Sequence, residues 1–249
     1  MKKTLFFLPL LLCLVACGQT LSVPSQYETD TFITKSGKTL KIHAIVHASI
    51  CIEFDGNMLM VDPVTNLGDR TIDYSNFPKA DVIFVTHEHF DHLDKDAIAL
   101  LSQSKTQLIT NRRCANQLGR GIVMANGDRL VLESWLTVEA VPAYNTTEGH
   151  LQFHPKNRDN GFILTIDGLR IYIAGDTEDI PEMADIKNID VAFLPCNQPY
   201  TMTPSQLRHA VDMIQPKVLF PYHYGDTDPE AMLQALEGTG VDVRIREFQ

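Results

Sequence analysis

Thr86-His87-Glu88-His89-Phe90-Asp91-His92-Leu93-Asp94 follows directly on Val82–Val85, an apolar, β-rich run that predicts a buried strand. Asp94–Leu101 then carries a helical pattern, so three histidines and Asp91 fall within six residues at a strand-to-helix junction. Packing so many polar, ligand-type side chains together costs stability unless something coordinates them. The alternate residues His87 and His89 point to one side of an extended backbone, and the next turn offers Asp91 and His92 to another. The HxHxDH spacing therefore predicts metal binding.

Working outward, the chain alternates short β-rich runs with turn signals. Lys41–His47, Ile50–Phe54 and Met58–Val61 predict a meander with Asp55-Gly56 as a hairpin turn, and Leu136–Val141 a further strand. Phe162–Ile166 and Arg170–Ala174 form a second predicted hairpin around Asp167-Gly168. Strands at Val191–Leu194, Val218–Phe220 and Val241–Ile245 and helices at Pro204–Ile214 and Pro229–Leu236 complete the pattern. The two hairpins head similar units. After the first, a strand ends in Asp62 and Asp81-Val82 opens the strand into His87; after the second, a strand ends in Asp176 and Asp190-Val191 opens the next. Two such units facing one another make a layered α/β molecule with helices outside the sheets, and strand-end polar residues would meet at the seam.

The His-rich run resembles the signature of the metallo-β-lactamase superfamily, and the resemblance covers the chain from about Leu40 onward. Met60-Val61-Asp62 resembles the early strand whose Asp supports the site from behind. Ile173-Ala174-Gly175-Asp176-Thr177 resembles the motif whose Asp bridges two metals, and Tyr222-His223-Tyr224-Gly225 the late His ligand. His47-Ala48-Ser49 and the Gly-Asp-Thr run are most similar to the branch containing ascorbate 6-phosphate lactonase.

This resemblance implies a four-layer αββα sandwich and a metal-dependent hydrolase with two divalent ions, zinc or manganese, with iron also compatible. His87, His89 and His154 would hold one ion and Asp91, His92 and His223 the other, with Asp176 bridging and with Asp62 and His47 supporting from behind. The remaining family His usually sits in a Thr-Pro-Gly-His run. Thr147-Glu148-Gly149-His150 imitates that run, but His154 stands closer to the strand near Gly161, and Pro155 confines it to extended backbone. His154 is therefore the expected ligand and His150 the alternative. A metal-bound hydroxide would attack an ester, lactone or phosphodiester, with Asp91 orienting it and accepting its proton. His89 replaces the carboxylate of redox di-iron relatives, which favours hydrolysis. A membrane-lipid phosphodiesterase and a non-catalytic metal-binding lipoprotein are the alternatives. Tyr144, Asn145, Asn197, Tyr200, Tyr222 and Tyr224 fall in loops near the ligands and are candidates for lining a pocket.

The amino-terminal end carries a separate signal. Lys2 and Lys3 precede the apolar run Leu5–Val15, the length of an export-signal core, and Leu14-Val15-Ala16-Cys17 resembles a bacterial lipobox. The expected organisation is a signal peptide over 1–16, a lipidated Cys17 opening a tether over 17–30, and one hydrolase domain over 31–249. Gly18 lacks the Asp that retains many lipoproteins in the inner membrane, so a cell-envelope site at the outer membrane is expected. A net charge of -10 over 249 residues disfavours a nucleic-acid partner, and Arg112, Arg113 and Arg120 read as a solvated helix face. The expected partner is a small-molecule substrate. Cys51, Cys114 and Cys196 are odd in number and suggest buried thiols rather than a disulfide framework.

Overall fold

The computed structural model describes residues 22–248, so the expected signal peptide and Cys17 lie outside the described residues. The first half contains β1 (Thr29–Ile33), β2 (Thr39–Val46), β3 (Ser49–Phe54), β4 (Asn57–Val61), a short hairpin of β5 (Asn66–Leu67) and β6 (Arg70–Thr71), and β7 (Val82–Val85). It continues with α1 (Lys95–Leu101), β8 (Gln107–Thr110), α2 (Arg112–Leu118) and β9 (Ile122–Val123). The second half contains β10 (Arg129–Glu133), β11 (Leu136–Ala143), β12 (Asp159–Ile166), β13 (Leu169–Ile173), β14 (Val191–Pro195), α3 (Pro204–Ile214), β15 (Val218–Tyr222), α4 (Pro229–Ala235) and β16 (Asp242–Val243).

These form two seven-stranded sheets ordered β1-β2-β3-β4-β7-β8-β9 and β10-β11-β12-β13-β14-β15-β16. Each starts as an antiparallel meander and becomes parallel in its last strands. The repeat in the sequence is thus a repeat in topology. Both Asp-Gly turns have positive φ at both residues, Asp55 (49°) and Gly56 (79°), Asp167 (45°) and Gly168 (83°), the backbone of a type I′ turn that matches strand twist.

Strand alternation assigns the layers. Leu59, Val61, Val82 and Phe84 face the core between the sheets, whereas Met60, Ile83 and Val85 pack outward with Ala97, Ile98 and Leu101 of α1 and Cys114 of α2. Leu207, Ala210, Val211 and Ile214 of α3 and Met232 of α4 cover the second sheet, giving the four-layer αββα sandwich. Phe84 on β7 and Phe162 on β12 meet across the seam with ring centroids 5.5 Å apart; burying such a side chain stabilises by roughly 1.5–3 kcal/mol. Capping fixes the helix starts. Asp94 accepts from the Asp96 and Ala97 amides, and Thr203 and Gln206 form a reciprocal capping box on α3.

The expected tether boundary needs correction. Val23 is buried, Tyr27 packs against Phe77 at 5.6 Å, and Asp30 on β1 pairs with Arg244 at 2.9 Å and Arg246 at 2.8 Å. The folded domain therefore begins before residue 31, because these side chains find apolar and charged partners on it. Cys51, Cys114 and Cys196 are buried and free. Among the described residues no helix is long and apolar enough to cross a membrane.

Candidate metal centre

The parallel strands deliver polar residues to one end of the sandwich. His47 follows β2, Asp62 follows β4, His87 to His92 follow β7, Asp176 follows β13 and His223 follows β15; His154 comes from the loop between β11 and β12. His47, Asp62 and His223 have φ of 56°, 41° and 45°, a left-handed turn that leaves the strand abruptly. Gly175 (φ 66°) does the same before Asp176, and a Cβ there would come within 2.9 Å of the Asn160 carbonyl oxygen.

His87, His89 and His154 converge. His89 Nδ1 lies 3.1 Å from His87 Nε2 and 3.2 Å from His154 Nε2. The far nitrogens explain which lone pairs point inward. His154 Nδ1 donates to Asn145 Oδ1 at 2.8 Å, and the Asn145 amide donates to Glu178 Oε1 at 3.2 Å and to the Tyr200 carbonyl at 2.8 Å. His87 Nδ1 lies 3.0 Å from Thr86 Oγ1, a hydroxyl already donating to Asp62 at 2.6 Å. Each outer bond leaves Nε2 free for a cation.

A second group joins Asp91, His92 and His223. His92 Nδ1 donates to Asp62 Oδ2 at 2.8 Å, and Asp62 Oδ1 also accepts from the Thr86 amide at 2.8 Å. Asp176 spans the two groups: Oδ1 is 3.2 Å from His92 Nε2, and Oδ2 is 3.1 Å from His223 Nε2, 3.4 Å from His154 Nε2 and 3.8 Å from His87 Nε2.

His47 lies beside the second group: its Nε2 is 3.2 Å from Asp91 Oδ2, and it clusters with Asp91, His92 and His223 with donor atoms within 4.8 Å of one another, so it can support Asp91 or offer a further donor. The hydrogen bond from the His47 amide to the Phe248 carbonyl and that from the His223 amide to the His47 carbonyl, at 3.0 Å, hold it there. Sequence position alone cannot reveal such long-range bonds, although the His-Ala-Ser run at a strand end marked the residue. Asp62 bonds His92 and Thr86 and belongs to none of the donor groups. His150 belongs to neither donor group; its Nδ1 faces Glu178 Oε1 at 3.4 Å.

Electrostatics favour a cation. Burial pushes His154 down to about 4, and burial together with nearby His223 does the same to His47, so both imidazoles are neutral at pH 7. Burial would raise the Asp176 carboxyl, but His223 and His92 hold it well below the usual carboxylate range. Burial likewise opposes charge on His223, yet Asp176 and Asp91 lift it to about 9. A field that retains a proton there also attracts a metal ion. His92 Nε2, Asp176 Oδ1 and both His223 ring nitrogens are buried without a well-formed hydrogen bond, a burden of about 1–3 kcal/mol per group that coordination removes. The donor set thus fits divalent ions, and its nitrogen and oxygen donors suit zinc, manganese or iron alike.

A cavity of about 480 Å³ opens onto this centre. Of the candidate lining residues, Asn197 and Tyr200 face it. Asn145 instead holds His154, the Tyr222 hydroxyl accepts from the Gly175 amide at 2.9 Å, Tyr144 bonds Glu182 at 2.7 Å, and Tyr224 donates to the Arg246 carbonyl at 2.8 Å.

Residues 41–223 match the beta-lactamase superfamily domain, and the chain belongs to the metallo-β-lactamase superfamily. Within it, the chain belongs to the UPF0173 metal-dependent hydrolase family. A member from Ligilactobacillus salivarius is 32% identical over 189 residues, covering 74% of this chain and 84% of that protein. One from Archaeoglobus fulgidus is 29% identical over 223 residues, covering 83% and 94%. The crystal structure of a proposed metal-dependent hydrolase from Parabacteroides distasonis superposes with a TM-score of 0.87 at 54% identity, covering 90% of this chain and 100% of that one. Igni18, a metallo hydrolase from Ignicoccus hospitalis, gives 0.70 at 28% identity, covering 83% and 94%.

Proposed function

We propose that the chain hydrolyses a small ester, lactone or phosphodiester at a centre of two divalent ions, zinc or manganese by preference and iron by compatibility of donors. The observation that carries this reading is the Asp176 carboxylate, whose two oxygens face both donor groups. Bound there, divalent ions would supply a water of lowered pKa and a Lewis acid for the attacked oxygen. His87, His89 and His154 would hold one ion; Asp91, His92 and His223 would hold the other, with His47 as a further donor. Asp91 lines the cavity and would accept the proton released when water attacks. Asp62 and Asn145 fix the tautomers of His92 and His154, so the donors are oriented before substrate arrives. The likeness to the ascorbate 6-phosphate lactonase branch supports a lactone among these substrates.

The lipobox-like tetrad supports a lipid anchor on Cys17, and Gly18 supports outer-membrane placement in the cell envelope. Metal analysis of the purified mature protein, joined to a panel of ester, lactone and phosphodiester reporters, tests the catalytic reading. Metal-dependent turnover of at least one class, abolished by chelation and restored by metal, is expected. A metal-loaded protein inert toward all three classes overturns it in favour of a binding protein.

A further inference from the structure

We propose that the part of the substrate lying outside the metal centre is an uncharged, apolar arm, aryl or short alkyl, seated against Phe90, Phe153 and Tyr200; this rests on the hydrolase reading above. The cavity of ≈ 480 Å³ falls within the range of about 300–1,000 Å³ typical of small-molecule sites. Its inner end is the His and Asp cluster, and its outer wall is aromatic. Phe153 and Tyr200 meet edge to face with centroids 4.9 Å apart, so two loops distant in sequence build one wall. Phe90, between His89 and Asp91, is 77% exposed, and Tyr200 is 44% exposed. Single exposed apolar residues are ordinary, but three aromatic side chains lining one cavity beside a polar centre offer a surface that an apolar group would cover.

Charge points the same way. Among the described residues, none lining the cavity is lysine or arginine, while Glu88 lines it beside the two aspartates. The nearby arginines are already engaged: Arg158 bonds both Asp159 oxygens at 2.8 and 2.7 Å and the Phe153 carbonyl at 2.7 Å, and Arg113 pairs with Glu88 Oε1 at 3.0 Å. Glu88 Oε2 is buried and has no hydrogen-bond partner. An anionic arm would find no charge-assisted donor here and would meet this carboxylate instead. The metal ions would act on the reacting group and leave the arm to the wall.

Binding and turnover separate the two readings. On chelator-treated mature protein, fluorescence titration with uncharged 2-naphthol and anionic 2-naphthoate compares arms of one ring size without metal coordination. Binding of 2-naphthol at least tenfold tighter is expected, weakened at least fivefold by Phe153→Ala and by Tyr200→Ala, with Tyr200→Arg shifting preference toward 2-naphthoate. In the metal-loaded protein, 4-nitrophenyl butyrate should exceed 4-nitrophenyl hemisuccinate in kcat/KM by a similar factor. Equal or stronger binding of 2-naphthoate, no binding of 2-naphthol, or variants that leave its binding unchanged would each overturn the apolar arm, whatever the turnover. If 2-naphthol binds as expected and no ester, lactone or phosphodiester is hydrolysed, the arm site stands and the hydrolase reading falls.

Discussion

His154 donates its Nδ1 proton to Asn145 Oδ1 at 2.8 Å, and this bond decides which of its nitrogens faces the metal centre. The Asn145 amide is held in turn by Glu178, whose Oε2 accepts from the Thr146 and Thr147 amides, each at 2.8 Å. His150 sits on the outer side of the same carboxylate.

His154→Ala should therefore lower metal content or affinity by removing a donor, whereas His150→Ala should leave bound metal largely intact. Asn145→Ala should weaken metal binding by roughly 10–100-fold, the usual effect of losing an outer partner of a ligand. Metal titration of the three variants with a competing chelator checks the order. A larger loss in the His150 variant than in the His154 variant would transfer the ligand role.

Asp176→Asn preserves size but removes the negative charge that faces both donor groups. Turnover should fall by orders of magnitude, with the second ion lost first and the fold retained in far-UV circular dichroism. Near-normal turnover with both ions bound would refute a spanning role for this carboxylate.

Asp159 offers a test of pH dependence away from the donors. Burial, only partly opposed by Arg158, pushes its carboxyl up to about 6. Its unfolded value is about 3.9, so between these values the folded chain binds more protons than the unfolded chain, and stability falls as pH rises through that window. The contribution amounts to as much as about 3 kcal/mol. Asp159→Asn should remove this falling limb between about pH 4 and pH 6. Urea midpoints measured at fixed metal content in both proteins give the comparison; parallel pH profiles would show that Asp159 does not carry the effect.

Cys17→Ser should release the protein from the membrane fraction, because thioether attachment of lipid requires that sulfur. Unchanged sedimentation with membranes after cell fractionation would place the anchor elsewhere.

The fold was legible where local chemistry and tertiary packing agree. Val82–Val85 reads as a strand because both its faces are buried, and the Asp55-Gly56 and Asp167-Gly168 turns announce their hairpins through residues that tolerate positive φ. β1 and β10 escaped notice because they lie at sheet edges, where every residue is exposed or only half-buried and no apolar run forms. The seven expected ligands meet, since strand-end positions in two facing units converge by topology. The placement of His47 could not be read, since it depends on backbone hydrogen bonds in which its amide donates to the Phe248 carbonyl and its carbonyl accepts from the His223 amide. Asn145 was expected near the pocket, but its bond to His154 links two loop positions that only the fold brings together.

The left-handed backbone at His47, Asp62 and His223 sets stability against chemistry at the same positions. A residue with a Cβ loses about 1–2 kcal/mol in that conformation relative to glycine. Glycine at any of the three would relax the main chain and delete an imidazole or carboxylate in one step. Selection for thermal stability alone, in a lineage that had ceased to need its metals, should therefore erode the centre at these turns early. A glycine aligned with any of them in a relative would mark a member that has kept the fold and abandoned the reaction.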